Sequence, residues 1–155
     1  KYALKKSQDS FHYNRNSLIA LSSLYGIELL VDNYSMLILN IYSEFIDIYS
    51  RNVRKLGGKI NNKVLQSAKI IIHANIVQGN AINGINGNHK PIILSEWKFF
   101  SKFKVKRVNH SYKVMIGKSG NGESIDLFHP SQIDEQFPNY VPVDITNVYK
   151  QLIIK

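Results

Sequence analysis

The 155-residue chain contains no cysteine. That absence removes disulfide staples, thiolate zinc sites and cysteine nucleophiles together, and it fits a reducing compartment. Long hydrophobic runs are missing too. Stretches such as Ile70-Ile71-Ile72 fall far short of the roughly 20 apolar residues that a membrane helix needs, and the N-terminus lacks the apolar core of a signal peptide. No membrane partner is expected, and the chain reads as soluble and intracellular, or packaged in a particle. Because it begins at Lys1 rather than Met, residues upstream are left open. Negative charge is also scarce: 11 Asp and Glu face 20 Lys and Arg, for a formal net charge of +9. An excess of this size favours association with a polyanion, with nucleic acid as the leading partner class. The alternative is a lysine-rich surface that only keeps the chain soluble.

Catalytic machinery is another absence. His12, His73, His89, His110 and His129 are scattered without ligand spacing, and the carboxylates form no pair along the sequence, so no catalytic residue, metal ligand or cofactor is named. Gly117-Lys118-Ser119 imitates the end of a phosphate-binding loop, but Tyr112 stands where that motif requires glycine. Asn33-Tyr34-Ser35 and Asn109-His110-Ser111 fit a glycosylation pattern, which is short enough to arise by chance and needs a secreted context. The chain is therefore expected to be non-enzymatic.

What is present is the material of a core: the chain is 44% apolar, 11% aromatic and 20% charged. Leu18, Ile19, Leu21 and Leu24 recur at helical spacing, with Asn16 or Ser17 as N-cap and Gly26 as stop. Asp32-Asn33 can cap a longer helix whose stripe of Ile38, Ile41, Tyr42, Phe45, Ile48, Tyr49, Val53 and Leu56 keeps a period near 3.6 until Gly57-Gly58. Leu37, Leu39 and Ile46 widen that stripe, so the helix should touch core on two sides, the second from a partner. Asn62 can cap a third helix with Val64, Leu65, Ala68, Ile71 and Ile72. From Asn75 to Asn88 a weak helix and a glycine-punctuated loop both remain open. Trp97 to Lys106 and Tyr112 to Ile116 alternate like two strands of a hairpin turning through Val108-Asn109-His110. Gly117 to Gly122 reads as a turn, and the tail with Pro130, Pro138 and Pro142 as an extended strap.

The segment Lys59-Ile60-Asn61-Asn62-Lys63-Val64-Leu65-Gln66-Ser67-Ala68-Lys69-Ile70-Ile71-Ile72, following a long amphipathic helix, resembles the second loop and third helix of core histones, nearest to the two-B histones. In those proteins the stretch reads Thr-Ile-Thr-Ser-Arg-Glu-Ile-Gln-Thr-Ala before a leucine run. Ile60, Lys63, Gln66 and Ala68 fall on identical or like residues, and Leu65 with Ile71-Ile72 match in kind. The resemblance covers about residues 15 to 75. It implies a mainly α protein, with a short-long-short histone fold and N-terminal arm over residues 1–75, then a C-terminal extension over 76–155 carrying the hairpin and strap.

The resemblance also implies pairing with a second histone-fold chain, with Ile38, Ile41, Phe45, Ile48 and Tyr49 at the dimer interface. Such a pair would bind or compact DNA through its phosphates in a nucleosome-like particle, in a nucleus or a virion; divergent histones of this kind occur in large DNA viruses. Lys59 and Lys63 would stand at the DNA-contacting loop. Arg54 and Lys55 could join them or merely complement the helix dipole. Lys98, Lys102, Lys104, Lys106 and Arg107, interleaved with Trp97, Phe99, Phe100 and Phe103, look like a basic and aromatic nucleic-acid surface. The plainer alternative is a strand with one solvated face and one core face. Two other functions stay open: a histone-fold subunit of a transcription or centromere complex, and a structural component of a virion or ribosome-like particle.

Overall fold

The computed structural model describes residues 2–113 and 137–154. In chain order its elements are α1 (Tyr2–Lys5), α2 (Ser10–Ser22), β1 (Gly26–Glu28), α3 (Val31–Lys55), α4 (Asn62–Asn75), β2 (Ile76–Gln78), β3 (Ile93–Phe99), β4 (Lys104–Ser111), β5 (Val143–Asp144) and a 3-10 helix (Ile145–Lys150).

Local chemistry sets the helix ends. Asp9 caps α2, its carboxylate accepting from the His12 backbone N–H at 2.8 Å, so the helix starts earlier than the expected cap at Asn16 or Ser17. It ends at Ser22, which leaves Leu24 outside it. Helix α3 closes on Gly57, whose φ of 72° is the left-handed turn that glycine adopts freely. There the Gly57 N–H donates to the Arg54 carbonyl and the Gly58 N–H to the Val53 carbonyl, both at 2.9 Å, which satisfies two carbonyls at the helix end. Asn61, one residue before the expected cap, holds the start of α4 by accepting from the Lys63 N–H at 3.0 Å.

The short, long and short helices are thus present, but the mainly α histone fold is overturned: the protein is mixed α/β. Strands β1 and β2 pair in parallel, Gly26 opposite Ile76 and Glu28 opposite Gln78. Strands β3, β4 and β5 form an antiparallel sheet, from Ile93 opposite Ser111 to Phe99 opposite Val105, with β5 adding Val143 opposite Val105. The physical reason is where the second half places its apolar residues. Trp97, Val105, Ile145 and Val148 enter the same core as Leu18, Val53, Val64 and Ile71, so the second half of the chain covers α2 and α4.

Polar bonds lock the two halves together. The Ser67 hydroxyl, fully buried, donates to the Thr146 carbonyl at 2.9 Å. Asn75, also fully buried, accepts from the Trp97 indole N–H at 2.8 Å and donates to the carbonyls of Ser22 at 2.9 Å and Leu24 at 3.1 Å. One amide thus satisfies the end of α2 and a strand tryptophan where water is excluded.

The hairpin is displaced from its expected place. The chain reverses at Phe100–Phe103, the Phe100 N–H donating to the Lys104 carbonyl at 2.9 Å, and Val108, Asn109 and His110 lie within β4. Burial of Phe103 against α2 outweighs continued alternation there. Beyond Asn75, which ends α4, residues 76–88 resolve as β2 followed by loop, in which the Asn80, Asn83 and Asn86 side chains accept from backbone N–H groups two residues on. Of the proline strap, residues 139–141 fold back on 152–154, with the Val141 N–H donating to the Leu152 carbonyl at 2.8 Å. Residues 114–116 of the second strand expected over Tyr112 to Ile116, the turn over 117–122, His129 and Pro130 lie outside the described residues.

Candidate nucleic-acid interface

The first turn of α2 is a meeting point. On one side the α3–α4 loop packs so closely that a Cβ on Gly58 would lie 2.3 Å from the Ser10 Cβ. This brings the loop that carries Lys59, and with it the end of α3 bearing Arg54 and Lys55, against the start of α2. On the other side the β3–β4 turn leans in: the Phe103 ring meets Phe11 edge-on at 6.4 Å and His12 at 5.9 Å. The Ile145 N–H donates to the Phe103 carbonyl at 2.9 Å and fixes the turn to the C-terminal 3-10 helix. Two loops far apart in sequence, the α3–α4 loop with Lys59 and the β3–β4 turn with Lys102, therefore flank one helical turn.

Arg15 joins these parts. Its guanidinium sits 3.7 Å from the Phe11 ring centre and 5.4 Å from that of Phe103, and its Nε donates to Asp144 Oδ2 at 2.9 Å. Such stacking lets a cation rest on aromatic surface while keeping an ionic partner. Burial works against ionisation of Asp144, but the Thr146 hydroxyl and backbone N–H, with the Arg15 guanidinium, outweigh it and hold the carboxyl below its ordinary value. Hydrogen bonds from the backbone and the ring of His12 likewise keep the Asp9 carboxyl low.

The expected cationic residues divide into distinct settings. Arg54, Lys55, Lys59, Lys63, Lys102 and Lys104 are exposed, and Lys102 Nζ lies 5.1 Å from the Phe103 ring centre. Lys98 and Lys106 stand directly opposite on β3 and β4, a like-charge pairing that weakens a sheet, with Glu96 Oε2 3.6 Å from Lys98 Nζ as local compensation. The same carboxylate meets His110 Nε2 at 2.9 Å. Arg107 points to the opposite face, where its Nε donates to Ser95 Oγ at 2.9 Å and Asn109 Oδ1 at 3.1 Å and its guanidinium lies over Tyr140. It is a structural cation of the sheet, already engaged by Ser95, Asn109 and Tyr140.

Phe11 and Arg15 escaped the reading of the sequence, although their spacing of one helical turn was a usable signal. Their importance comes from Phe103, which lies roughly ninety residues away in the chain.

The residues expected at a dimer interface also divide. Ile38 and Tyr49 are buried within this chain, and the Tyr49 hydroxyl donates to Asn14 Oδ1 at 2.8 Å and accepts from the Asn61 N–H at 3.1 Å. Ile41 and Phe45 are half-buried, and Ile48 is exposed. Two apolar grooves run beside α3. One, of about 500 Å³, is bounded by Leu39 and Tyr42 of α3 and Ile72 and His73 of α4. The other, of about 680 Å³, is bounded by Leu21 and Leu24 beyond Ile41 and Ile48.

Among the described residues no three His, Asp or Glu side chains gather as a metal site, and no helix is long and apolar enough to cross a membrane. No family model matches the chain, and no curated protein or solved structure gives a significant match.

Proposed function

We propose that this protein binds nucleic acid, DNA included, through the phosphate backbone, using the basic and aromatic end built around the first turn of α2. The observation that carries this reading is that Gly58 of the α3–α4 loop and Phe103 of the β3–β4 turn both pack on the first turn of α2, at Ser10, Phe11 and His12, with Arg54, Lys55, Lys59, Lys102 and Lys104 exposed beside them in sequence. Cations carried by two loops that pack on one helical turn can act on one polyanion, and each contacted phosphate releases condensed counterions. Contacts of this kind position a chain on nucleic acid without reading bases. The role is binding rather than catalysis.

The test is the affinity of the whole chain for labelled DNA of mixed sequence, measured over a salt series. Affinity should fall steeply with salt and change little with sequence. Absence of binding at low salt, or binding indifferent to salt, would overturn the reading.

A second reading, a subunit of a protein assembly, is favoured by the two apolar grooves beside α3. Sedimentation of the wild type beside Leu39→Lys/Ile48→Lys tests it. An assembly that the double substitution dissolves supports it, and a monomer at all concentrations counts against it.

A further inference from the structure

We infer that the ligand of this basic end is single-stranded, and that the β3–β4 turn supplies the platform on which unpaired bases stack. The inference rests on the nucleic-acid reading and deepens it. Phe100 is 62% exposed and its neighbour Phe99, the last residue of β3, is 44% exposed, although the backbone on which they sit is pinned. The Phe100 N–H donates to the Lys104 carbonyl and the Ile145 N–H to the Phe103 carbonyl, each at 2.9 Å, and the Lys104 N–H reaches Ser101 Oγ at 3.3 Å. Phe103 is held edge-on by Phe11 and His12. Large apolar rings that stay in water on a fixed backbone are prepared for a flat ligand, because little ordering remains to be done on binding.

The chemistry of the ligand follows from what surrounds the rings. Lys102 and Lys104, both exposed, can hold phosphates beside a stacked base. Base faces are hidden in a duplex and free in a single strand, so a basic turn with exposed rings favours the unpaired form. Aromatic rings among lysines also suit a membrane surface. Here, however, the apex of the turn is Ser101-Lys102, and insertion would drive a charge into the acyl region ahead of the rings.

The experiment compares a single-stranded oligonucleotide with a duplex of the same length by fluorescence anisotropy, using wild type, Phe100→Ala and Phe100→Tyr. The wild type should prefer the single strand. Phe100→Ala should weaken single-strand binding by about 5- to 100-fold, leave duplex binding and the salt dependence unchanged, and leave the melting temperature unaltered. Phe100→Tyr should bind like the wild type. Equal affinity for both ligands with no effect of Phe100→Ala overturns this inference alone, whereas failure of the wild type to bind either ligand overturns the nucleic-acid reading beneath it. Vesicles containing phosphatidylserine form the last arm: binding that Phe100→Ala abolishes, without any loss of oligonucleotide affinity, assigns the rings to a lipid surface and overturns the inference.

Discussion

Helices α3 and α4 are neighbours of opposite economy. Helix α4 has 14 residues and buries Val64, Ser67, Ala68, Ile71, Ile72, Ala74 and Asn75, whereas α3 has 25 residues and buries Ile38, Tyr49 and Val53. The difference does not come from a shortage of apolar side chains on α3, since Met36 and Leu39 are among the exposed large hydrophobics. It comes from cover. Helix α4 lies between α2 and the C-terminal 3-10 helix, tied to the latter through Ser67 and Thr146. Helix α3 packs along one side and opens onto a groove at each flank. Among the described residues, the need for a second layer, which the wide stripe of α3 announces, is met for α2 and α4 by the chain's own C-terminal half and left unmet for α3.

The sharpest way to break this contrast is a matched pair of truncations. Ile71→Ala, at a fully buried site, should cost about 2–5 kcal/mol in denaturant unfolding, while Leu39→Ala on the open flank of α3 should stay within about 0.5 kcal/mol. A cost for Leu39→Ala comparable to that of Ile71→Ala would mean that the flank is covered in solution. Next in size is Asn75→Ala, which strands the Ser22 and Leu24 carbonyls and the Trp97 indole. We expect a loss of about 1–3 kcal/mol and altered fluorescence from Trp97, the single tryptophan of the chain; unchanged emission would contradict the hub.

The Arg15–Asp144 bond, which ties α2 to the C-terminal segment, gives a smaller effect with a defined pH sign. The carboxyl of Asp144 is held below its ordinary value in the folded protein. Its contribution is therefore present above the unfolded value near 3.8 and is lost as pH falls through the lower folded value. Acid unfolding curves of the wild type and Asp144→Asn should converge below that window, with the variant less stable at neutral pH by about 1 kcal/mol. Curves that remain parallel into acid would contradict this. The smallest effect concerns the Lys98–Lys106 pair. Lys106→Glu should stabilise the sheet by about 0.2–1 kcal/mol while weakening nucleic-acid binding, and a gain in both would show that this face plays no part in binding.

Much of the helical framework was legible in the sequence, because apolar spacing and glycine stops are local signals. The stretch around Lys59 to Ile72 forms a capped loop and helix, as its residues suggested. The sheet was harder to read. A parallel pairing of Gly26–Glu28 with Ile76–Gln78 joins three-residue segments too short to show a period. The reversal at Phe100–Phe103 was hidden because alternation continued through it, and only the contact with Phe11 and His12 shows why the chain turns there. The exposed lysines of the candidate site could be named from charge alone. That Arg107 faces Ser95 and Asn109 instead depends on strand register, which follows from a reversal at Phe100–Phe103 and not at Val108-Asn109-His110.

The central claim is that two distant basic segments act as one phosphate-binding face. It is tested most directly by the salt dependence of single-strand affinity for Lys55→Gln/Lys59→Gln, for Lys102→Gln/Lys104→Gln, and for the four substitutions combined. Each pair should lower the log–log slope by up to about 1.4, since a neutralised phosphate on a single strand contributes about 0.7, and the two losses should add in the combined variant. A slope that one pair lowers and the other leaves untouched would show that the segments do not share a ligand.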